Sequence, residues 1–336
     1  MRLSHLFVVF ACVPLFVLAH GDHGVKDKSE CGQVEESVYV YDMSLHVASI
    51  FIVFVASIVG SLCPVLSARV SCLQDNRTAL DMLTSFGYGV VIATAFVHML
   101  PHATTNLNSP CIGSDYNGLA MVICLATMYL MQLLETELVV FLGKQQDRHE
   151  KDEALSPQIE LVAPHHHHGA ALSNVSTRKK VTVVMFELGV AVHSVIVGIE
   201  LGVSTGTDFV PLLWAIVFHQ FFEGIAVGAS AMTAFTDLKT LVWTSLGFSV
   251  TTPIGIAIGI FISTTYSATS TTALWIQGTF DAMAGGILIY TGVVELMTYQ
   301  FTANEDFHNK RGARRALNYS FLYLGSAAMS IMGLWA

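Results

Sequence analysis

Charged residues are scarce in this chain, and their scarcity excludes most classes of soluble protein. Only 12% of its 336 residues are Asp, Glu, Lys or Arg, whereas a soluble domain has about 25%. Hydrophobic residues make up 53% of the chain, and its mean hydropathy is +0.59. No basic stretch resembles a nucleic-acid surface, so no nucleic-acid partner is expected. The composition is that of a polytopic membrane protein.

Two kinds of zinc motif are also absent. The six cysteines include no C-x-x-C pair, so no thiolate zinc site is predicted. The metalloprotease motif H-E-x-x-H does not occur either. Cys31 and Cys111 fall on the same predicted side of the membrane. A disulfide between them is left open, because their spacing gives it no support.

Apolar runs long enough to cross about 30 Å of hydrocarbon occur eight times. They predict an all-α polytopic membrane protein with eight transmembrane helices. The predicted spans lie near 45–68, 82–100, 118–142, 181–203, 209–232, 240–262, 273–298 and 317–335.

The remaining segments complete the predicted organisation. Residues 1–19 resemble a signal peptide, with Arg2 ahead of an apolar core; a short uncleaved anchor is the alternative. The other divisions are a short exoplasmic segment at 20–44, helices one to three at 45–142, a cytosolic His-containing loop at 143–180 and helices four to eight at 181–336.

Lys and Arg indicate the orientation of the spans. Thirteen of the 16 basic residues lie in alternate loops, after spans one, three, five and seven. Both termini are therefore predicted to lie outside, and 143–180 to be cytosolic.

The predicted cytosolic loop contains the run His165 to His168. An incidental run in a polar disordered linker and a weak metal-binding tract both stay open as interpretations.

Polar side chains inside the apolar spans indicate function. A charge at a helix centre costs roughly 2.5–3.5 kcal/mol, so such residues usually form a site or a pathway. His193 lies in span four, and His219 and Glu223 lie one helical turn apart in span five. Two imidazoles and a carboxylate suit a borderline divalent transition metal. Ser194 and Gln220 are expected to add weak oxygen ligands or supporting hydrogen bonds.

Glycines at intervals of four are expected to bring spans four and five together. Gly198, Gly202 and Gly206 form one series, and Gly224 with Gly228 forms another. Small residues at this spacing let helix backbones approach. The metal ligands would then project from two closely packed helices. The alternative is that each buried histidine is only hydrogen-bonded to a neighbouring helix.

Other polar residues are ordered along the path by the predicted topology. The predicted entrance residues are His98, His102 and Glu200. The predicted exit residues are Glu295, Glu187 and Glu135. Asp281 lies in the outer half of span seven and receives no role. For each residue alone, a capping or interhelical hydrogen bond is the alternative.

The residues that bear the site also carry a family resemblance. The matching motifs are ATAFVHMLP from Ala93, HSV from His193, HQFFEG from His219 and AGGILIY from Ala284. With them the chain resembles the Zrt/Irt-like (ZIP) family of divalent metal transporters, in its eukaryotic zinc and iron branch. The resemblance implies eight helices, a central metal site and metal movement toward the cytosol. It assigns the primary ligands to His193, His219 and Glu223, and a weaker position to Ser194 and Gln220.

One departure from the family limits the expected metal content. Val197 stands where many relatives carry Glu, so a binuclear centre is not expected. His102 likewise stands where relatives often have Asp. At Glu200 this branch of the family usually has an uncharged residue.

The predicted function is transport of zinc, or iron(II), across the membrane into the cytosol. An iron(II)-selective uptake transporter of the same fold is the alternative. An intramembrane zinc hydrolase and a metal-regulated interaction protein are more remote ones. No enzyme activity and no cofactor are expected, because Zn²⁺ or Fe²⁺ is the transported substrate.

The expected partners are divalent metal ions and the lipid bilayer, with a homodimer left open. The plasma membrane is the predicted location, with an endosomal or vacuolar membrane as the alternative.

Overall fold

A computed structural model describes residues 31, 41–67, 77–114, 116–154, 168–206, 209–263 and 270–333. The predicted signal peptide and His165 to His167 lie outside these residues. The side chains of Arg77, Val139, residues 142–179, Glu295 and Tyr299 also lie outside the described set. The described chain forms helices with short connections and contains no strand. The predicted all-α fold is confirmed.

The helices follow the predicted spans closely. Helix α1 is Met43–Ser67, and α2 is Arg77–Ala93. A π-helical segment, Thr94–Met99, joins α2 to α3, Leu100–Leu107. The next helices are α4 Leu119–Ala154, α5 His168–Val203, α6 Phe209–Ala234, α7 Leu238–Ile262 and α8 Thr271–Ile289. A second π-helical segment, Tyr290–Thr302, continues α8 and is followed by α9, Glu305–His308, and α10, Gly312–Met332.

Seven stretches of the described chain are long and apolar enough to cross a membrane. They are Met43–Ser67, Thr78–Leu107, Leu119–Leu138, Lys180–Val203, Phe209–Ala234, Leu238–Ile262 and Thr271–Thr302. The eighth predicted span falls on α10, which is not among them and carries Arg314, Arg315 and Asn318. The polytopic architecture is confirmed, whereas the eight-span count and the position of the termini stay predictions.

Side chains are distributed as expected for a protein whose solvent is lipid. Large apolar side chains face outward, including Phe51, Tyr129, Trp243 and Phe261, each more than half exposed. Histidine, glutamate, glutamine and aspartate side chains are buried in the interior instead. Polar side chains buried inside an apolar exterior suit a membrane-embedded path for a polar cargo.

Glycines bring helices into backbone contact, but not the pair that the sequence suggested. A Cβ on Gly202 of α5 would lie 2.5 Å from the carbonyl oxygen of Ile256 on α7. A Cβ on Gly224 of α6 would lie 2.8 Å from the amide nitrogen of Ser61 on α1. The prediction that these glycines join spans four and five is therefore wrong. A spacing of four identifies one face of a helix, but it does not identify the neighbour that packs there.

The segment predicted as a polar loop is helical at both ends. Helix α4 continues to Ala154, and α5 begins at His168. The sequence after Leu142 contains Gln, Lys, Glu and Ala, all good helix formers. Hydropathy marks where an apolar span ends, but a helix continues for as long as its residues favour it. Helices α4 and α5 therefore extend into the segment predicted as a loop, and its cytosolic position stays a prediction.

Cys31 and Cys111 form a disulfide. The pairing that the sequence left open is thus present. It ties a residue of the N-terminal segment to the connection between α3 and α4. The hydroxyl of Thr271, at the start of α8, donates a 3.1 Å hydrogen bond to the carbonyl oxygen of Cys111.

Candidate metal centre

Three buried histidines from separate helical segments meet in the interior. One nitrogen of each of His98, His193 and His219 lies within 4.8 Å of the others. The ring centroids of His98 and His193 are 5.3 Å apart, and those of His193 and His219 are 5.5 Å apart. A tetrahedral zinc ion with nitrogens at about 2.0 Å holds its ligand atoms about 3.3 Å apart. Small side-chain movements would therefore close this cluster around one ion.

An irregular turn places His98 in this cluster. His98 lies in the π-helical segment Thr94–Met99, where the amide of Leu100 bonds to the carbonyl oxygen of Ala95, five residues back. Pro101 follows at once; it has no N–H, and its ring crowds the preceding turn of a regular α-helix. A π-helical turn inserts one residue and rotates the side chains around it, and such turns are frequent at functional sites. The sequence suggested an entrance role for His98, and the structure places it against His193 and His219.

A carboxylate lies beside the three imidazoles. Glu223 lies one turn after His219 on α6, as the i, i+4 spacing requires. Its Oε1 atom is 3.2 Å from Nε2 of His219, and both side chains are buried. Three imidazoles and one carboxylate form a ligand set typical of zinc and iron(II) sites.

Most polar atoms of this layer have no hydrogen-bond partner within the described part of the chain. They are both ring nitrogens of His193, Nε2 of His219, both carboxylate oxygens of Glu223, Oγ of Ser194 and Oε1 of Gln220. The contact between His219 and Glu223 is within ion-pair distance but lacks hydrogen-bond geometry. Each unpaired buried group costs about 1–3 kcal/mol, so such groups are rarely found together. A bound divalent cation would satisfy these lone pairs.

The side-chain amide nitrogen of Gln220 is held by hydrogen bonds to residues outside the cluster. Its amide nitrogen donates to the hydroxyl oxygen of Ser57 on α1 at 3.3 Å, and to that of Thr252 on α7. Its carbonyl oxygen is the atom left for the site. These two anchors connect α6 to its neighbours. Neither was found by sequence reasoning, since a lone Ser or Thr in an apolar span carries no distinctive signal.

The other two predicted entrance residues, His102 and Glu200, lie beside the cluster. The ring centroid of His102 on α3 is 4.7 Å from that of His98. Glu200 is half-buried on α5 and lines a small cavity together with His98 and His219. The other walls are apolar, formed by Val197, Leu212, Ala215 and Ile216. The cavity thus connects a carboxylate directly to two of the candidate ligands.

Asp281 joins the site from α8. It is buried, and its Oδ1 atom lies 3.5 Å from Nδ1 of His193. Sequence reasoning located this residue but assigned it no role. The available signal was the presence of an acid in an otherwise apolar span.

The predicted exit residues are not brought into one cluster by the described side chains. Glu135 is buried on α4, accepts a 2.7 Å hydrogen bond from the hydroxyl of Tyr290, and lines a second small cavity with Thr182. Glu187 is half-buried on α5 and is not among the residues lining that cavity. The backbone of Glu295 lies in the second π-helical segment, and its side chain lies outside the described set.

Comparison with known proteins identifies the family. The sequence profile described as "ZIP Zinc transporter" matches residues 43–333. The chain belongs to the ZIP family. The family resemblance given by the span motifs is confirmed.

Relatives in plants cover nearly the whole chain. Zinc transporter 9 of Oryza sativa subsp. japonica is 35% identical over 331 residues, which cover 87% of this chain and 89% of that protein. Zinc transporter 5 of the same plant is 34% identical over 321 residues, 88% of each chain. Fe(2+) transport protein 1 of Arabidopsis thaliana is 29% identical over 340 residues, 98% of this chain and 95% of that protein.

The family determines the general activity. ZIP proteins are transporters, so this chain is a membrane transporter of divalent metal ions and not an enzyme. The intramembrane hydrolase considered from the sequence is thereby set aside. The His cluster is compatible with this activity.

Proposed function

We propose that the protein carries zinc across the membrane into the cytosol, with iron(II) as a second cargo of the same site. The observation that carries the proposal is the buried cluster of His98, His193 and His219 with Glu223 beside it. Both ring nitrogens of His193, Nε2 of His219 and both carboxylate oxygens of Glu223 lack hydrogen-bond partners within the described chain, and a cation would satisfy them. The names of the relatives, zinc transporters and an Fe(2+) transport protein, agree with both cargoes.

The donor set suits a site that must release its ion. Neutral imidazoles contribute no charge, and Glu223 compensates only half of a divalent charge. The ion is therefore held less tightly than in a closed cage of four thiolates. The general affinity order favours zinc over iron(II) at nitrogen and oxygen ligands, which makes zinc the first cargo.

The same arrangement suggests how an ion enters and leaves the buried cluster. We infer that an incoming ion meets His102 and Glu200 first, because both lie beside His98 and the predicted topology puts this end of the path outside. On the cytosolic side Glu135, Glu187 and Glu295 provide carboxylates along the exit. The bond from Tyr290 to Glu135 would have to yield when an ion passes.

The direction of transport rests on the predicted topology. The Lys and Arg distribution places residues 143–180 in the cytosol. The disulfide between Cys31 and Cys111 supports an oxidising environment for both residues, which agrees with their predicted outer position. We propose the plasma membrane as the location, with an endosomal or vacuolar membrane as the alternative.

Protease access tests the topology. An epitope inserted within 155–160 should be cleaved by protease only in permeabilised cells. The sequence Asn174-Val175-Ser176 is an N-glycosylation sequon, and a glycan on Asn174 would contradict this topology.

A competition assay tests the cargo. Uptake of radiolabelled zinc is measured in cells expressing the protein, with unlabelled zinc, iron(II), manganese and cadmium as competitors. Unlabelled zinc should compete at the lowest concentration, followed by iron(II). Stronger competition by iron(II) than by zinc would assign the protein as an iron(II)-selective transporter. Absence of metal flux in proteoliposomes would instead support an interaction protein that no longer transports.

A further inference from the structure

Helix α8 brings one buried acidic side chain against the candidate metal cluster. Asp281 is 4% exposed, and its Oδ1 atom lies 3.5 Å from Nδ1 of His193. Neither atom has a hydrogen-bond partner with good geometry among the described residues. Among the described side chains, the group of buried histidines contains no residue of α8. Burying a carboxylate in a membrane protein is costly, so its presence requires a partner.

The chemistry of histidine explains what this carboxylate can do. A neutral imidazole donates from one nitrogen and can bind a metal only through the other. A histidine ligand usually donates its second N–H to a carboxylate or carbonyl oxygen, which fixes the tautomer and the ring orientation. The separation of 3.5 Å is longer than a good hydrogen bond, and a small ring rotation would shorten it.

We propose that Asp281 is a positioning residue for the transport site. Its carboxylate accepts the Nδ1 proton of His193 and holds the ring with Nε2 directed toward the other ligands. Asp281 then acts on the ion through His193 and does not bind the ion itself. This inference rests on the proposed role of His193 as a metal ligand.

The other acids of the site do not serve His193 in this way. Glu223 is 3.2 Å from His219 on its own helix and is committed to that neighbour. Glu200 lies on the same helix as His193, and it lines the cavity together with His98 and His219. Among the described side chains, Asp281 is the carboxylate that forms an ion-pair contact with His193.

A double-mutant cycle on the purified full-length protein tests the proposal. Zinc affinity is measured by competition with a chelator for wild type, Asp281→Ala, His193→Ala and the double variant. Asp281→Ala should weaken zinc binding about 10–100-fold, as loss of such a partner usually does. In the His193→Ala background the same change should have less than about a twofold effect, because residues that act as one unit are not additive. Asp281→Asn should recover part of the affinity, since its amide oxygen still accepts the Nδ1 proton.

The outcomes separate this inference from the proposed function. Equal losses from Asp281→Ala in both backgrounds would make Asp281 an independent ligand and overturn the positioning role. An unchanged affinity in Asp281→Ala, with His193→Ala impaired, would overturn it as well and leave the proposed function intact. An unchanged affinity in His193→Ala would overturn both. Asp306→Asn removes an exposed acid on α9 and serves as the charge control.

A measurement on the unsubstituted side chain covers the case in which Asp281→Ala does not fold. Nitrogen-15 NMR of the zinc-free protein reports which ring nitrogen carries the proton. The His193 signals are identified as those absent from His193→Asn. Protonation at Nδ1 is expected. Protonation at Nε2 alone would overturn the proposal whatever the variants do.

Discussion

Helices α5 and α6 each present two faces of opposite character. On one face, Gly202 and Gly224 bring the backbones of α7 and α1 so close that a methyl group would not fit without movement. On the other face, His193 and His219 carry nitrogen atoms that have no hydrogen-bond partner among the described residues. The same two helices are therefore tightly packed on one side and unsatisfied on the other.

The difference shows how a transport site can be both stable and ready to bind. Close backbone packing fixes the positions of the ligand-bearing helices without using the ligands themselves. The unsatisfied atoms then lose little on binding a cation, because they have no internal hydrogen bond to break. A site held by a rigid scaffold also needs less rearrangement to reach productive geometry. Substitutions on the two faces should consequently fail in different ways.

The largest effect is expected from the unsatisfied face. His193→Ala, His219→Ala and Glu223→Ala should each nearly abolish zinc uptake, because each removes an atom that replaces a water of the ion. Loss of a merely supporting partner costs about 10–100-fold, and loss of a ligand should exceed that. Ser194→Ala, which removes a weaker oxygen, should be milder.

Uptake per molecule at the cell surface is the required measurement. Surface biotinylation separates lost transport from lost expression. Near wild-type uptake in two of the three ligand variants would remove the basis for the proposed site.

The packed face should respond through stability. A Cβ on Gly259 of α7 would lie 2.5 Å from the carbonyl oxygen of Ile199 on α5. Gly259→Ala should therefore destabilise the protein by about 1–3 kcal/mol, as overpacking does. A methyl group on Gly247 of the same helix would meet no atom within 4 Å, so Gly247→Ala is the matched control. It should be neutral or slightly stabilising, because Ala favours a helix over Gly.

Thermal unfolding and surface level report this effect. Gly259→Ala should lower both, whereas the zinc affinity of the folded fraction should change little. Equal stability of the two glycine variants would show that the backbone contact between α5 and α7 does not restrain the helices. The distinction between the two faces would then be lost.

The sequence predicted the candidate metal ligands better than it predicted which helices pack against each other. A His, or a Glu one turn from a His, is conspicuous in an apolar span, so His193, His219 and Glu223 could be selected without a structure. The partner of a glycine-lined face could not be predicted, because a spacing of four describes only the helix that carries it. The role of Asp281 was hidden for the same reason, since its neighbour lies on another helix. His98 was assigned to the entrance because regular helix geometry does not foresee the π-helical turn before Pro101.

A smaller effect is expected at the edge of the unsatisfied face. Glu200 lines the cavity beside His98 and His219 but is not within the cluster of three nitrogens. Glu200→Gln keeps the shape of the side chain and removes its charge. It should raise the apparent KM for zinc with little change in maximal rate, since it weakens capture and leaves the central ligands in place. A collapse of the maximal rate at normal surface level would instead place Glu200 in the central step.

The smallest effect is expected far from both faces. The run His165 to His168 precedes or begins α5, and His168 lies about 37 Å along the helix axis from His193 by helical rise. We therefore expect the run to take no part in binding at the cluster. Replacing all four histidines with serine should leave initial zinc uptake near normal. Loss of most initial uptake at unchanged surface level would show that an ion passes the run on its way. The exit would then extend well beyond Glu135, and the central cluster would be one of two sites that limit transport.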